Sequence, residues 1–232
     1  MDNDGSKKRL MWDIINITSL ILLGLALQIG GAYMVNAAVN CMEGAAGSAG
    51  KAAEQYITYM EAIRDLEPRQ ITHVIFVAPL VEEIIFRLIF LRAGKMLLPF
   101  WAANLIQAAL FGIYHSTTVQ KVYGFAMGLI IGCVFYYCPI IYRSIRSREG
   151  EKGASGRSLP GLLDLPNALV GVALTILLHM TVNTTGLYLA PLLPSDIAIP
   201  AQFGLGAVLL IIAAAAAFVL WDRSLVCSQR SS

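Results

Sequence analysis

Two adjacent glutamates and an arginine, Glu82, Glu83 and Arg87, stand in the stretch VAPLVEEIIFRLIFLR, which is otherwise as apolar as a membrane helix. A charge at the centre of a bilayer costs about +2.5 to +3.5 kcal/mol on insertion scales, so three in one segment require partners or a purpose. On a helix Glu83 and Arg87 are i and i+4, on one face, where they can form a hydrogen-bonded ion pair. Glu82 lies about 100° round the helix from Glu83 and is free to face something else. That geometry predicts a structural pair and, in Glu82, a carboxyl available as a general base or acid.

The chain has only three histidines. His73 opens the segment that carries the glutamates and reads as interfacial. His115 ends ALFGIYH, one turn beyond Phe111, and His179 sits in LLHMTVN with Asn183 as its i+4 neighbour on the same helix face. A glutamate, two histidines and an asparagine thus stand on three separate apolar segments. If they converge, they supply a base, a second group to hold water, and donors for a developing oxyanion. The chemistry that fits is hydrolysis of a peptide bond inside the membrane. Glu82 with His115 would hold and deprotonate a water, while His179 and Asn183 would stabilise the tetrahedral intermediate. The same residues also allow a zinc site, with Glu82, His115 and His179 as ligands and a fourth position open for water. No H-E-x-x-H helix accompanies it.

The elements that must position these groups follow from composition. Of 232 residues 57% are hydrophobic and 14% charged, against roughly 25% charged in an ordinary soluble domain. Long apolar runs recur along the chain, so the fold expected is an all-α, polytopic transmembrane bundle with a polar intramembrane cavity, one membrane-embedded domain over 1–232. Six spans are predicted, at 13–36, 71–91, 97–114, 122–141, 165–188 and 199–221, the third short for a bilayer core. KKR precedes the first run as in a signal peptide, but 14–35 is roughly the 20 residues of a spanning helix, so an uncleaved span is expected. Between the first two spans, apolar residues at helical spacing predict an interfacial helix over 48–66.

With the N-terminus cytoplasmic, twelve lysines and arginines fall on inner segments and four, Lys51, Arg64, Arg69 and Lys121, on outer ones. The positive-inside rule then places both termini inside. The basic stretch 143–161 reads as an orientation signal in a cytoplasmic loop. A net charge of +2 gives no argument for nucleic acid. The partners expected are the lipid bilayer and a peptide or membrane-protein substrate. Cys133 and Cys138, within an apolar run, read as small core residues.

The motifs also resemble a known family. EEIIFR is an E-E-x-x-x-R pattern, FGIYH an F-x-x-x-H pattern and HMTVN an H-x-x-x-N pattern. In this order and spacing, over 71–187, they resemble the CPBP intramembrane proteases, the family of CAAX prenyl endopeptidases and bacteriocin-processing or self-immunity proteins, also called Abi. The resemblance implies a protease core over 71–188, with Glu82 as the catalytic glutamate and Glu83 and Arg87 as its motif companions. It implies water activation by His115 and oxyanion binding by His179 with Asn183. The family has often been labelled metalloprotease, yet its eukaryotic CAAX branch looks glutamate-dependent, so the resemblance implies either no cofactor or zinc. A compact chain looks like a prokaryotic, multi-pass plasma-membrane member. The competing classes are a non-catalytic self-immunity or scaffold protein and an ion-coupled transporter, whose buried Glu and His would relay protons. The chain has no sign of the inverted repeats of a transporter, and an Asn at i+4 from a His looks more like an oxyanion site.

Overall fold

Hydrocarbon offers no partner for backbone N–H and C=O groups, so apolar runs of this length must satisfy them internally, as helices. A computed structural model describes residues 3–148, 165–189, 192, 194 and 197–213, with side chains described from 18 to 138 in the first stretch. It contains α1 (Asn3–Met42), α2 (Ser48–Arg64), a continuous helical rod α3 over 68–97, α4 (Phe100–Tyr114), α5 (Thr118–Arg148), α6 (Leu165–Tyr188) and α7 (Ile199–Ala213). There is no strand among the described residues.

Local chemistry sets the breaks. Between α1 and α2 the chain turns through Gly44 and Gly47, at φ 76° and 81°, a conformation that side chains with a Cβ disfavour. Pro68 occupies the first turn of α3, where Glu67 and Gln70 form a reciprocal capping box. Leu98 precedes Pro99 and is therefore extended, which ends α3 and opens α4.

Packing is organised around α5 and α6. Leu23 and Leu27 of α1 meet Met127 and Ile131 of α5 and Leu178 and Val182 of α6 in one core. A second joins Leu91 of α3, Phe100 and Ala103 of α4, Phe135 of α5 and Ala168 and Val172 of α6. Cys133 and Cys138 lie beside these cores, partly buried. The helices α4 and α5 form the most extensive pair, and their closeness has a cause in small residues and buried amides. A Cβ on Gly128 would stand 3.0 Å from the Ala108 Cα, and one on Gly132 would overlap Asn104 Oδ1. That oxygen accepts from Gln107 Nε2 at 2.7 Å, while Asn104 Nδ2 donates to the Leu129 carbonyl at 3.1 Å and Gln107 Nε2 also reaches the Gly128 carbonyl at 2.9 Å. Asn104 cannot move aside without breaking this fully buried network. Gly132→Ala is expected to destabilise the protein by about 1–3 kcal/mol in a denaturant titration; wild-type stability would contradict this account of the α4–α5 contact.

Three described helices are long and apolar enough to cross a bilayer: Thr18–Met42, Thr118–Cys138 and Leu165–Leu189. The sequence predicts six. The difference has physical reasons: the rod α3 carries charges and two wide turns, α4 has 15 residues and so reaches only about 22 Å, and α7 is described only to residue 213. The remainder of the expected last span, residues 214–221, lies outside the described residues, as do 149–161 of the basic loop; residues 143–148 continue α5. The helix expected over 48–66 forms as Ser48–Arg64, with Ala52 and Ala53 buried.

Candidate active site

Glu82 and Glu83 end the α-helical turn Ala78–Glu83 of α3, which is held between two π-helical stretches, His73–Val77 and Ile84–Leu91. A π stretch shifts the bonding to i→i+5 and re-aims the side chains beyond it, and such turns gather at functional sites. Here they bracket Glu82 and Glu83, and Arg87 lies within the second of them.

Glu83 is fully buried and joins two helices. Its Oε2 lies 3.1 Å from Arg87 Nε, one turn on, and its Oε1 lies 2.8 Å from His179 Nδ1 on α6. A carboxylate only accepts, so His179 Nδ1 is the donor. Arg87 is as buried as its partner. Their contact is an ion pair without hydrogen-bond alignment, and the guanidinium carbon rests 4.5 Å from the Phe111 ring centroid, within cation–π reach. His179 Nε2 then faces the Glu82 carboxyl, at 3.7 Å from Oε2. That separation is beyond direct hydrogen bonding. The single histidine of α6 thus stands between two carboxylates.

Phe111 connects the second histidine to the first. Its ring meets His115 edge-on at 4.9 Å and His179 at 5.8 Å between centroids. His115 sits just past the end of α4 on extended backbone, and its Nδ1 lies 2.8 Å from the Phe111 carbonyl. The carbonyl can only accept, so Nδ1 carries the proton and Nε2 keeps its lone pair. Gly124 of α5 backs the ring, since a Cβ there would stand 3.0 Å from Nδ1. Asn183, one turn beyond His179, donates from Nδ2 to the Val74 carbonyl of α3 at 2.9 Å.

Glu82, His115, His179 and Asn183 all line one cavity of about 740 Å³, a size in the range of small-molecule sites. His73 is exposed and does not line it. Its walls come from α3, α6 and the turn after α4, and also from α1 and α2, which the motifs do not implicate. Gln28 and Tyr123 line it as well, with Tyr123 Oη donating to Gln28 Oε1. The sequence carried a signal for that pair, an amide within the first apolar run, but not for its partner 95 residues away.

The zinc arrangement can be tested against these positions. Among the described residues no group of three His, Cys, Asp or Glu side chains is placed to hold a metal ion. His115 and His179 each hold Nδ1 in a hydrogen bond, which leaves Nε2 as the nitrogen either would offer a metal.

Residues 66–147 match the family model described as type II CAAX prenyl endopeptidase, Rce1-like. The match agrees with the resemblance that the motifs of this stretch carry. The Rce1-like stretch is about a third of the 232 residues and contains Glu82, Glu83, Arg87 and His115. It stops short of His179 and Asn183, which the fold brings to the same cavity. No curated protein and no solved structure matches the chain.

Proposed function

We propose that this membrane protein is an intramembrane endopeptidase that hydrolyses peptide bonds with water activated by Glu82 and His115. The observation that carries the reading is the meeting of Glu82, His115, His179 and Asn183 around one cavity. The Rce1-like stretch supports a protease of the CAAX type. A water held between the Glu82 carboxylate and His115 Nε2 loses a proton to Glu82 as its oxygen attacks the substrate carbonyl carbon. The oxyanion that forms is met by the second N–H of the Asn183 amide and by His179 Nε2–H. In that role His179 carries a proton on both ring nitrogens, Nδ1–H being held by Glu83. The C–N bond then breaks, and the proton on Glu82 passes to the leaving nitrogen, so one water is added across the bond. General-base catalysis contributes about 10²–10⁴-fold, and each oxyanion donor about 10²–10³-fold.

In the bilayer, α3, α4 and α7 complete six spans with the three long helices, both termini lie in the cytoplasm, and the membrane is a prokaryotic plasma membrane. The support is the bias of twelve basic residues against four across the connections. The substrate is a peptide or membrane protein that reaches the cavity through the lipid.

Purified protein in vesicles is expected to cleave at least one member of a pool holding a farnesylated CAAX peptide, its unprenylated form and apolar single-span peptides. The product masses sum to the substrate plus one water, and cleavage survives chelation. A pool left intact would contradict the protease and return the chain to the transporter or immunity class. Activity lost on chelation and restored by zinc would contradict the metal-free chemistry.

A further inference from the structure

The hydrogen-bond ladder of α3 has a gap beside the site, and Asn183 fills it. Through His73–Val77 the bonds run back five residues, the Ala78 N–H donating to the His73 carbonyl. The next bond in that register would run from residue 79 to the Val74 carbonyl. Residue 79 is a buried proline, which has no N–H to give. With the Ala78 N–H already used, the Val74 carbonyl has no donor from its own helix. A bare carbonyl in a bilayer interior costs several kcal/mol unless another group satisfies it. Among the described residues the donor comes from α6: Asn183 Nδ2, 109 residues away in sequence, donates to it at 2.9 Å.

We infer that Pro79 is a positioning residue for Asn183, freeing the Val74 carbonyl to anchor one N–H of the Asn183 amide so that the other is presented to the cavity. The amide is planar and its two N–H bonds have a fixed angle between them, so holding one settles the direction of the other. Preorganised donors are what an oxyanion site requires, because they need no reorganisation as charge develops. The anchor also ties the donor to the base: Val74, Pro79 and Glu82 belong to adjoining turns of one rod and all but the buried proline line the cavity with Asn183. A shift of α6 against α3 would therefore loosen donor and base together. The inference rests on the reading of Asn183 as an oxyanion donor.

Pro79→Ala restores an N–H that competes with Asn183 for the Val74 carbonyl. The expected result is a fall in kcat of about tenfold with KM within about twofold, and no further fall when Pro79→Ala is added to Asn183→Ala. A purely structural proline would instead give losses that multiply, which would overturn the inference. A second arm needs no activity. Val74–Ile75 is the only Val-Ile step in the chain, so carbonyl-¹³C valine with ¹⁵N isoleucine isolates the Val74 carbonyl in an NMR spectrum. Asn183→Ala is expected to move that resonance upfield, as loss of a hydrogen bond does, and to leave it in place in a protein that already carries Pro79→Ala. A resonance indifferent to Asn183→Ala with Pro79 intact would overturn the inference. Absent cleavage with the carbonyl shift intact would instead overturn the protease reading and leave the Pro79–Asn183 anchor standing as a structural one.

Discussion

Glu82→Gln protein is expected to fold to wild-type yield and to cleave at least about a hundredfold more slowly, with KM little changed. The substitution keeps the shape of the side chain and removes its capacity to take a proton. Folding is spared because Glu82, unlike its neighbour, keeps part of its surface on the cavity, its side chain 12% exposed, and has His179 at 3.7 Å as its only close ion partner among the described residues. The measurement is steady-state cleavage by purified protein in vesicles, with a thermal or denaturant titration on the same sample. Wild-type turnover would remove Glu82 from the mechanism. A misfolded variant would show that its charge is structural, as that of Glu83 is.

The largest expected effect on stability belongs to Arg87→Ala. It takes from Glu83, fully buried and bonded to His179, the guanidinium beside it. Stranding one member of a buried pair costs about 3–5 kcal/mol, and the contact with Phe111 goes with it. Folded yield and the denaturation midpoint are expected to fall sharply. The double variant Glu83→Gln/Arg87→Met, which removes both charges, is expected to recover much of that stability while cleaving poorly, because His179 Nδ1 then faces a neutral amide. Stability of Arg87→Ala equal to wild type would contradict the pairing, and wild-type turnover by the double variant would contradict the role of Glu83 in holding His179.

Charges and amides stand out against apolar sequence because each is costly there, which is why Glu82, Glu83, Arg87, His179 and Asn183 were legible before any fold was in hand. The i, i+4 relation of Glu83 and Arg87 is helix geometry and needs no tertiary knowledge. The bond from Glu83 to His179 spans 96 residues, and a single sequence has no periodicity that reports it. Glu83 therefore read as half of a local pair when it also fixes a catalytic candidate. Gly128, Gly132, Asn104 and Gln107 were visible as letters, but their significance depends on which faces of α4 and α5 meet. Pro79 likewise stood in plain view in VAPLVEE. Its effect depends on the i→i−5 register of the preceding turn, and nothing in residue type alone announces a π stretch. Hydropathy located the apolar segments; among the described residues helix length and interior charge, not mean apolarity, separate the three long helices from α3 and α4.

The central claim is that a water held at Glu82 attacks the peptide bond directly. The most direct test is a single turnover in H₂¹⁸O, with enzyme in excess over substrate. The account predicts one ¹⁸O in the new C-terminal carboxyl of the product and none in the Glu82 side chain. Label in the Glu82 carboxyl would reveal an acyl-enzyme anhydride and contradict it, as would a product carboxyl without ¹⁸O.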